Sequence, residues 1–277
     1  MSYKAEAVNV ARDYYNSGDA DNFYSKIWGG EDIHIGIYRS EDEPIFDASR
    51  RTIEKMAARL NGLGPEGRVL DLGAGYGGAA RFLAEKYGCH VTALNLSEIE
   101  NDRNRALNES RGLEYTIEVV EGSFEEVPYD EASFDVVWSQ DAILHSGERE
   151  KVFEEVSRVL KGDGDFVFTD PMKSDGCPEE VLQPILDRLH LDSLGSPGFY
   201  RRTAREVGLK EVDFEDHTEQ LPTHYARVLE ETEQRENELS EAVSRDYLDR
   251  MKKGLSHWVE GGRNGHLTWG IHHFRAE

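Results

Sequence analysis

With 277 residues, 55 acidic side chains against 32 Lys and Arg, and a formal charge of −23, the chain argues against nucleic acid or an anionic membrane surface as its partner, since both repel an acidic protein. No apolar stretch approaches the roughly 18 residues of a membrane span, and the opening MSYKAEAVNVARDYY lacks the apolar core of a secretory signal. The two cysteines, Cys89 and Cys177, make neither a disulfide framework nor a metal spacing. The expectation is a water-soluble cytoplasmic protein without a metal site. Runs such as Ser40-Glu41-Asp42-Glu43 and Glu230-Glu231-Thr232-Glu233 read as solvated faces, and a surface this acidic suits concentrated salt, where self-repulsion is screened.

In chain order, residues 4 to 28 read as helical, with Ala7, Val8, Ala11, Tyr14 and Tyr15 near one stripe and a break at Asn16-Ser17-Gly18. An aromatic and glycine-rich passage from Tyr24 to Tyr38 follows as an N-terminal cover over residues 1–45. A helix over 46–62 leads into the core domain, 46–277. Arg68-Val69-Leu70 is a strand, and Ala79 to Tyr87 has helical spacing. Between them VLDLGAGYGG is a glycine turn that lets a ligand approach the backbone and aims helical N–H groups at it. Gly73-x-Gly75-x-x-Gly78 also matches the dinucleotide fingerprint, so the glycines alone do not separate NAD from other adenosine cofactors. Asp71 shifts the balance: a carboxylate there repels a pyrophosphate and attracts a cationic amino group, which S-adenosylmethionine carries.

His90 to Asn95 is strand 2, and Ser97 caps a helix from Glu98 to Arg111. Asn95 falls 22 positions after Gly73, where nucleotide-binding sheets reach the ribose, usually with an acid. Strand 3 is Tyr115 to Val120. Strand 4 runs through Ser133 to Trp138 and ends in Ser139-Gln140-Asp141-Ala142-Ile143-Leu144-His145, a polar cluster at the carboxyl end of the sheet. Asp141 and His145 are four apart, so one helical turn places them on one face. A helix over 148–160, a Lys161-Gly162-Asp163-Gly164 turn and strand 5, Asp165 to Asp170, continue the alternation. It predicts a parallel sheet with helices on both faces. Helices at 178–190 and 197–207, strand 6 over Lys210 to Phe214, a charged helical region from Gln220 to Trp258, and a closing strand over 266–274 complete the chain. The three histidines His266, His272 and His273 read as sheet and surface residues.

Motif I, VLDLGAGYGG, resembles that of class I S-adenosylmethionine-dependent methyltransferases. WGGEDIHIG, ALNLSE, EVPYD, WSQDAILHS, FTDPM, QPILDRLHL, LPTHYARV and TWGIHHF extend the likeness over nearly the whole chain, to the sarcosine/dimethylglycine N-methyltransferases. The resemblance implies a Rossmann-like fold with a seven-stranded, mostly parallel sheet whose last strand inserts antiparallel between strands 5 and 6. It also implies a lid at the N-terminus and added helices over 178–260 that help form the acceptor pocket. Cofactor contacts are implied at Asp71, Gly73, Ala74, Gly75, Asn95, Leu96, Gln140, Ile33 and His34, with Ser123 and Phe124 on the adenine side.

SQDAILH is similar to the phosphoethanolamine methyltransferase segment whose Asp and His face the methyl acceptor. His145 is therefore the candidate base, oriented by Asp141, with Tyr15 as a third member. Tyr24, Trp28 and Tyr38 offer aromatic faces to a quaternary ammonium product, and Met172, Tyr200, His224 and Tyr225 are candidate pocket walls. Arg201, Arg202, Arg227 and Arg263 are candidate partners of the substrate carboxylate. The family forms glycine betaine, an osmolyte, and S-adenosylhomocysteine. Phosphoethanolamine as acceptor, an NAD-dependent oxidoreductase and a non-catalytic cofactor-binding protein are the alternatives, and the protein is expected as a monomer or homodimer.

Overall fold

A computed structural model describes Arg12 and residues 15–28, 30–189 and 191–277, leaving aside the side chains of Glu179 and Arg188. The expected positions Ala7, Val8, Ala11 and Tyr14 lie outside the described residues. Helix α1 (Gly18–Ile27) begins where the Asn16-Ser17-Gly18 break was expected. Ser17 caps it by accepting a hydrogen bond from Ala20 N. Helix α2 (Ile45–Ala57) stops five residues short of the expected end, in a turn ahead of Gly62.

The core alternates strand and helix: β1 (Arg68–Leu72), α3 (Gly78–Tyr87), β2 (His90–Asn95), α4 (Glu98–Ser110), β3 (Ile117–Glu121), β4 (Phe134–Gln140), α5 (Arg149–Val159) and β5 (Leu160–Thr169). β3 starts later than its pattern suggested, because Tyr115 is solvent-exposed and sits in the preceding turn. The Lys161-Gly162-Asp163-Gly164 segment is not a separate turn. It lies inside β5 as an irregularity, with pairing to β4 skipping from Leu160 to Asp165.

Beyond β5 come the two-residue β6 (Met172–Lys173), α6 (Gln183–Leu189), α7 (Pro197–Glu206), β7 (Leu209–Asp216), α8 (Gln220–Gln234), α9 (Glu236–Leu239), α10 (Arg245–Arg263), β8 (Leu267–Thr268) and β9 (Gly270–Ala276). The sheet order is β3-β2-β1-β4-β5-β9-β7, and β9 runs antiparallel to both β5 and β7. This is the expected class I topology. Order reverses between β1 and β4, so the chain leaves these neighbours toward opposite edges and opens a crevice at their carboxyl ends.

Apolar strands buried on both faces divide the core in two. One cluster joins α2 and α3 to the sheet through Ile53, Leu83, Val69 and Trp138. The other joins α5 and α7 to it through Phe153, Tyr200, Phe166 and Phe168. His272 and His273 are buried sheet residues, His273 paired with Asp165 at 2.7 Å. A third cluster packs α1 through Phe23, Ile27 and Trp28 on α8 and α10 through Val228, Leu248 and Leu255. The N-terminal segment is therefore carried by the added helices. No helix among the described residues is long and apolar enough to cross a membrane.

Candidate active site

The crevice is shaped first by the glycine turn. Gly73 N and Ala74 N both donate to Leu94 O, at 2.8 and 3.2 Å, which folds the chain sharply back at the end of β1. Gly73 has φ 74°, a conformation that costs an L side chain, and a Cβ there would collide with that of Ala142 beyond β4. At Gly75 a Cβ would meet Ile33 Cδ1 at 3.0 Å. Asp71 is buried behind the turn, and burial pushes its carboxyl up to about 7. Its Oδ2, like Gln140 Nε2, has no hydrogen-bond partner among the described residues. The remaining Gln140 oxygen accepts from Trp138 Nε1 at 3.0 Å.

Ten of the residues expected at the site line one cavity: Tyr15, Ile33, Gly73, Gly75, Asn95, Leu96, Phe124, Gln140, Asp141 and His145. Arg12, Ser97, Glu100 and Ala142 complete the wall, and sequence reasoning missed them. Glu100 matters most of these. It sits in the first turn of α4, where Asn95 Nδ2 donates to its Oε2 at 2.9 Å, and burial raises its carboxyl to about 7. The acid absent from the end of β2 is thus supplied five residues later. The Ser97 cap places it there, because Glu100 N donates to Ser97 Oγ. The signal was present as Ser-x-x-Glu, the capping-box spacing.

Past β4 the chain does not make the expected α-helical turn. Asp141 takes φ 51°, followed by a short 3₁₀ turn over Ile143–His145. The Asp141 carboxylate consequently accepts from Ile35 N at 2.7 Å and Trp269 Nε1 at 2.8 Å, tying the N-terminal passage and the C-terminal strand region to the cavity. The expectation that it orients His145 is corrected on that ground: its oxygens are turned to a backbone amide and an indole. Loss of solvent raises its pKa to about 6, and these two donors pull it back down.

His145 Nε2 instead lies 3.0 Å from Tyr15 OH, with the rings edge to face. The turn that carries it is pinned from behind. Asp170 Oδ1 accepts from Leu144 N at 2.9 Å, and Tyr200 OH donates to Asp170 Oδ2 at 2.5 Å. Arg149 donates to Leu144 O at 3.2 Å.

This arrangement corrects two of the expected pocket walls. Tyr200 is fully buried, stacked on Phe153, and serves the sheet core and Asp170. Met172 is also fully buried, with Sδ 3.4 Å from His272 Nε2. Ala74, Ser123 and His34 adjoin lining residues in the chain without lining the cavity themselves, and Asp71 is two residues before the lining Gly73. Tyr24, Trp28, Tyr38, His224 and Tyr225 form an adjoining aromatic run. Tyr15 stands 5.9 Å from Tyr24, Tyr24 4.9 Å from Trp28, and Trp28 5.5 Å from His224. Tyr38 OH meets His224 Nδ1 at 3.0 Å, and Tyr225 stacks on Trp258.

None of the four expected arginines lines the cavity. Arg201 pairs with Glu211, and Arg227 pairs with Glu230 and Glu231 on its own helix. Glu43, expected on a solvated face, holds Arg51 with both carboxylate oxygens.

A methyltransferase-domain family profile matches residues 70–168. The sarcosine/dimethylglycine N-methyltransferase of Halorhodospira halochloris is 60% identical over 273 residues, spanning 99% of this chain and 98% of its own. That of Aphanothece halophytica is 55% identical over 97% of each chain. Among solved structures, a "putative sarcosine dimethylglycine methyltransferase" from Galdieria sulphuraria superposes with a TM-score of 0.90 at 46% identity, covering 95% of this chain and 98% of that one. With the glycine turn, the strand order and the His145 turn, these likenesses establish that the chain belongs to the sarcosine/dimethylglycine N-methyltransferase family of class I methyltransferases.

Proposed function

We propose that this enzyme transfers methyl groups from S-adenosylmethionine to sarcosine and N,N-dimethylglycine, giving glycine betaine. The observation that carries the reading is the Tyr15 OH to His145 Nε2 contact of 3.0 Å in the wall of the cavity that the glycine turn opens. It supports reading His145 as a proton acceptor beside the adenosine-cofactor site.

The residues present fit that cofactor. The space a Cβ would fill at Gly73, the unpartnered Asp71 Oδ2, and the Asn95–Glu100 pair together offer close backbone approach, a carboxylate for an ammonium, and acceptors for hydroxyls. When bound, S-adenosylmethionine supplies an electrophilic methyl on a sulfonium, leaving S-adenosylhomocysteine. The chain's own part is to position, dehydrate and deprotonate. A protonated amine has no free lone pair, so its proton must leave before attack, and His145 Nε2 takes it with Tyr15 OH as hydrogen-bond partner. The rings of Tyr15, Tyr24 and Trp28 present π faces to the cation that persists on nitrogen. Ile33, packed over Gly75, closes the passage to water.

A labelled-methyl assay across glycine, sarcosine, dimethylglycine and phosphoethanolamine tests the reading. Transfer to sarcosine and dimethylglycine is expected, and transfer to phosphoethanolamine alone overturns it. Arg12 is the one Arg or Lys among the described residues lining the cavity, fewer cations than a dianionic phosphate calls for.

A further inference from the structure

Two buried N–H groups of the aromatic run have no partner among the described residues, and their protonation is fixed by what their neighbours can do. Gly36 N donates to His224 Nδ1 at 3.1 Å. A backbone amide only donates, so Nδ1 must carry the lone pair. Burial holds His224 neutral, its pKa pushed down to about 3, which leaves its single proton on Nε2. Nε2–H therefore faces outward from this bond as a donor, and it has no hydrogen-bond partner among the described residues.

Trp28 Nε1, also buried, is a second donor without a partner, on a ring 5.5 Å from that of His224. His34 is the complement of His224. Its Nδ1 lies 3.3 Å from Ile35 O, which only accepts, so Nδ1 carries the proton and the buried, unpartnered Nε2 offers a lone pair. The two histidines are near enough to interact electrostatically.

We infer that Trp28 Nε1–H and His224 Nε2–H bind the carboxylate of the methyl acceptor, one donor to each oxygen. This deepens the proposed function and rests on it. Buried polar groups in folded proteins are satisfied, so a pair of orphaned donors at one place marks a missing acceptor. The subsite is linked to the reacting end through successive ring contacts. Tyr24 is in ring contact with both Tyr15, which meets His145, and Trp28. His34 lies between Ile33, which lines the cavity, and Ile35, whose amide holds Asp141. Two neutral donors and one lone pair match a zwitterionic amino acid, whose carboxylate is balanced by its own ammonium. They do not match a phosphate, which calls for cations. Recognition of the acceptor is thereby assigned to neutral N–H groups and not to the arginines of the added helices.

The test uses Trp28→Phe, which keeps a ring and removes the donor, and His224→Asn, whose side-chain oxygen can still accept from Gly36 N. Calorimetry on the full chain loaded with S-adenosylhomocysteine should show dimethylglycine bound about tenfold more weakly by each variant, as loss of a hydrogen bond to a charged group entails. Affinity for S-adenosylhomocysteine itself should be unchanged. The preference in kcat/KM for dimethylglycine over N,N-dimethylethanolamine, which has a hydroxyl in place of the carboxylate, should fall by the same factor. Unchanged dimethylglycine affinity in both variants overturns the inference, because water alone then satisfies the donors. Equal weakening toward both acceptors overturns it too, since that is a packing effect. A parent protein that methylates neither sarcosine nor dimethylglycine overturns the proposed function along with this subsite, whereas an active parent whose variants keep their preference overturns the subsite alone.

Discussion

The assignment of Asp71 to the cofactor's ammonium predicts that binding is linked to a proton, and the size of the effect follows from the burial of Asp71. Its carboxyl is raised from 3.8 to about 7, with Arg81 only partly opposing the loss of solvent. Near neutral pH the empty site is therefore about half protonated, and only the ionised form pairs with an ammonium. The α-amino group of the ligand itself loses its proton at about 7.7–8. The product of the two ionised fractions rises about sixfold from pH 6 to a maximum at about pH 7.4 and falls above it. Titration calorimetry of S-adenosylmethionine across this range, repeated in two buffers of different ionisation enthalpy, should show that bell and the release of a proton on its rising side. Asp71→Asn cannot ionise, so its affinity should be weak and flat below pH 7. Glu100→Gln is the control: Glu100 also titrates at about 7, but hydroxyl partners carry no charge, and the rising side should survive. A parental affinity indifferent to pH, or an Asp71→Asn variant that keeps the rise, would refute the assignment of Asp71 to the ammonium.

His145→Ala should lower kcat by about 10²-fold or more while leaving cofactor affinity nearly intact, and Tyr15→Phe should lower it less. Equal turnover in refolding-competent His145→Ala protein removes the base from the mechanism. Gly73→Ala combines a left-handed backbone with a collision against Ala142, so denaturant unfolding should show a loss of about 1–3 kcal/mol, and calorimetry a loss of cofactor binding. The charge of −23 predicts that KCl raises the thermal midpoint by screening self-repulsion, and a midpoint that falls or stays level contradicts the high-salt reading.

The periodicity of the chain carried the fold well. Alternating strands and helices, the glycine turn, the break at Asn16-Ser17-Gly18 and the Ser97 cap are local signals, and each appears where its residues suggest, whereas the closing strand is divided at Trp269 into β8 and β9. Local signals also mislead. Asp141 and His145 are four apart, yet the left-handed backbone at Asp141 turns its carboxylate to partners 106 and 128 residues away. No spacing rule encodes such partners. Glu100 carries a local signal in its spacing from Ser97, yet nothing local separates a capping acid from one buried against Asn95 at the cavity. Tyr200 carried a family expectation of the pocket, whereas its hydroxyl is needed by Asp170. Arg201 finds an acid on the neighbouring strand and Arg227 finds two on its own helix, and the abundance of such acids makes that outcome natural.

The position of β9 has a bearing on cooperativity. β7 pairs in the sheet only with β9, and β9 joins it to β5. Trp269, just ahead of β9, donates to Asp141 in the cavity wall. The edge of the sheet and the wall of the pocket are therefore coupled, since one loosening event at β9 frees β7 and takes a donor from Asp141.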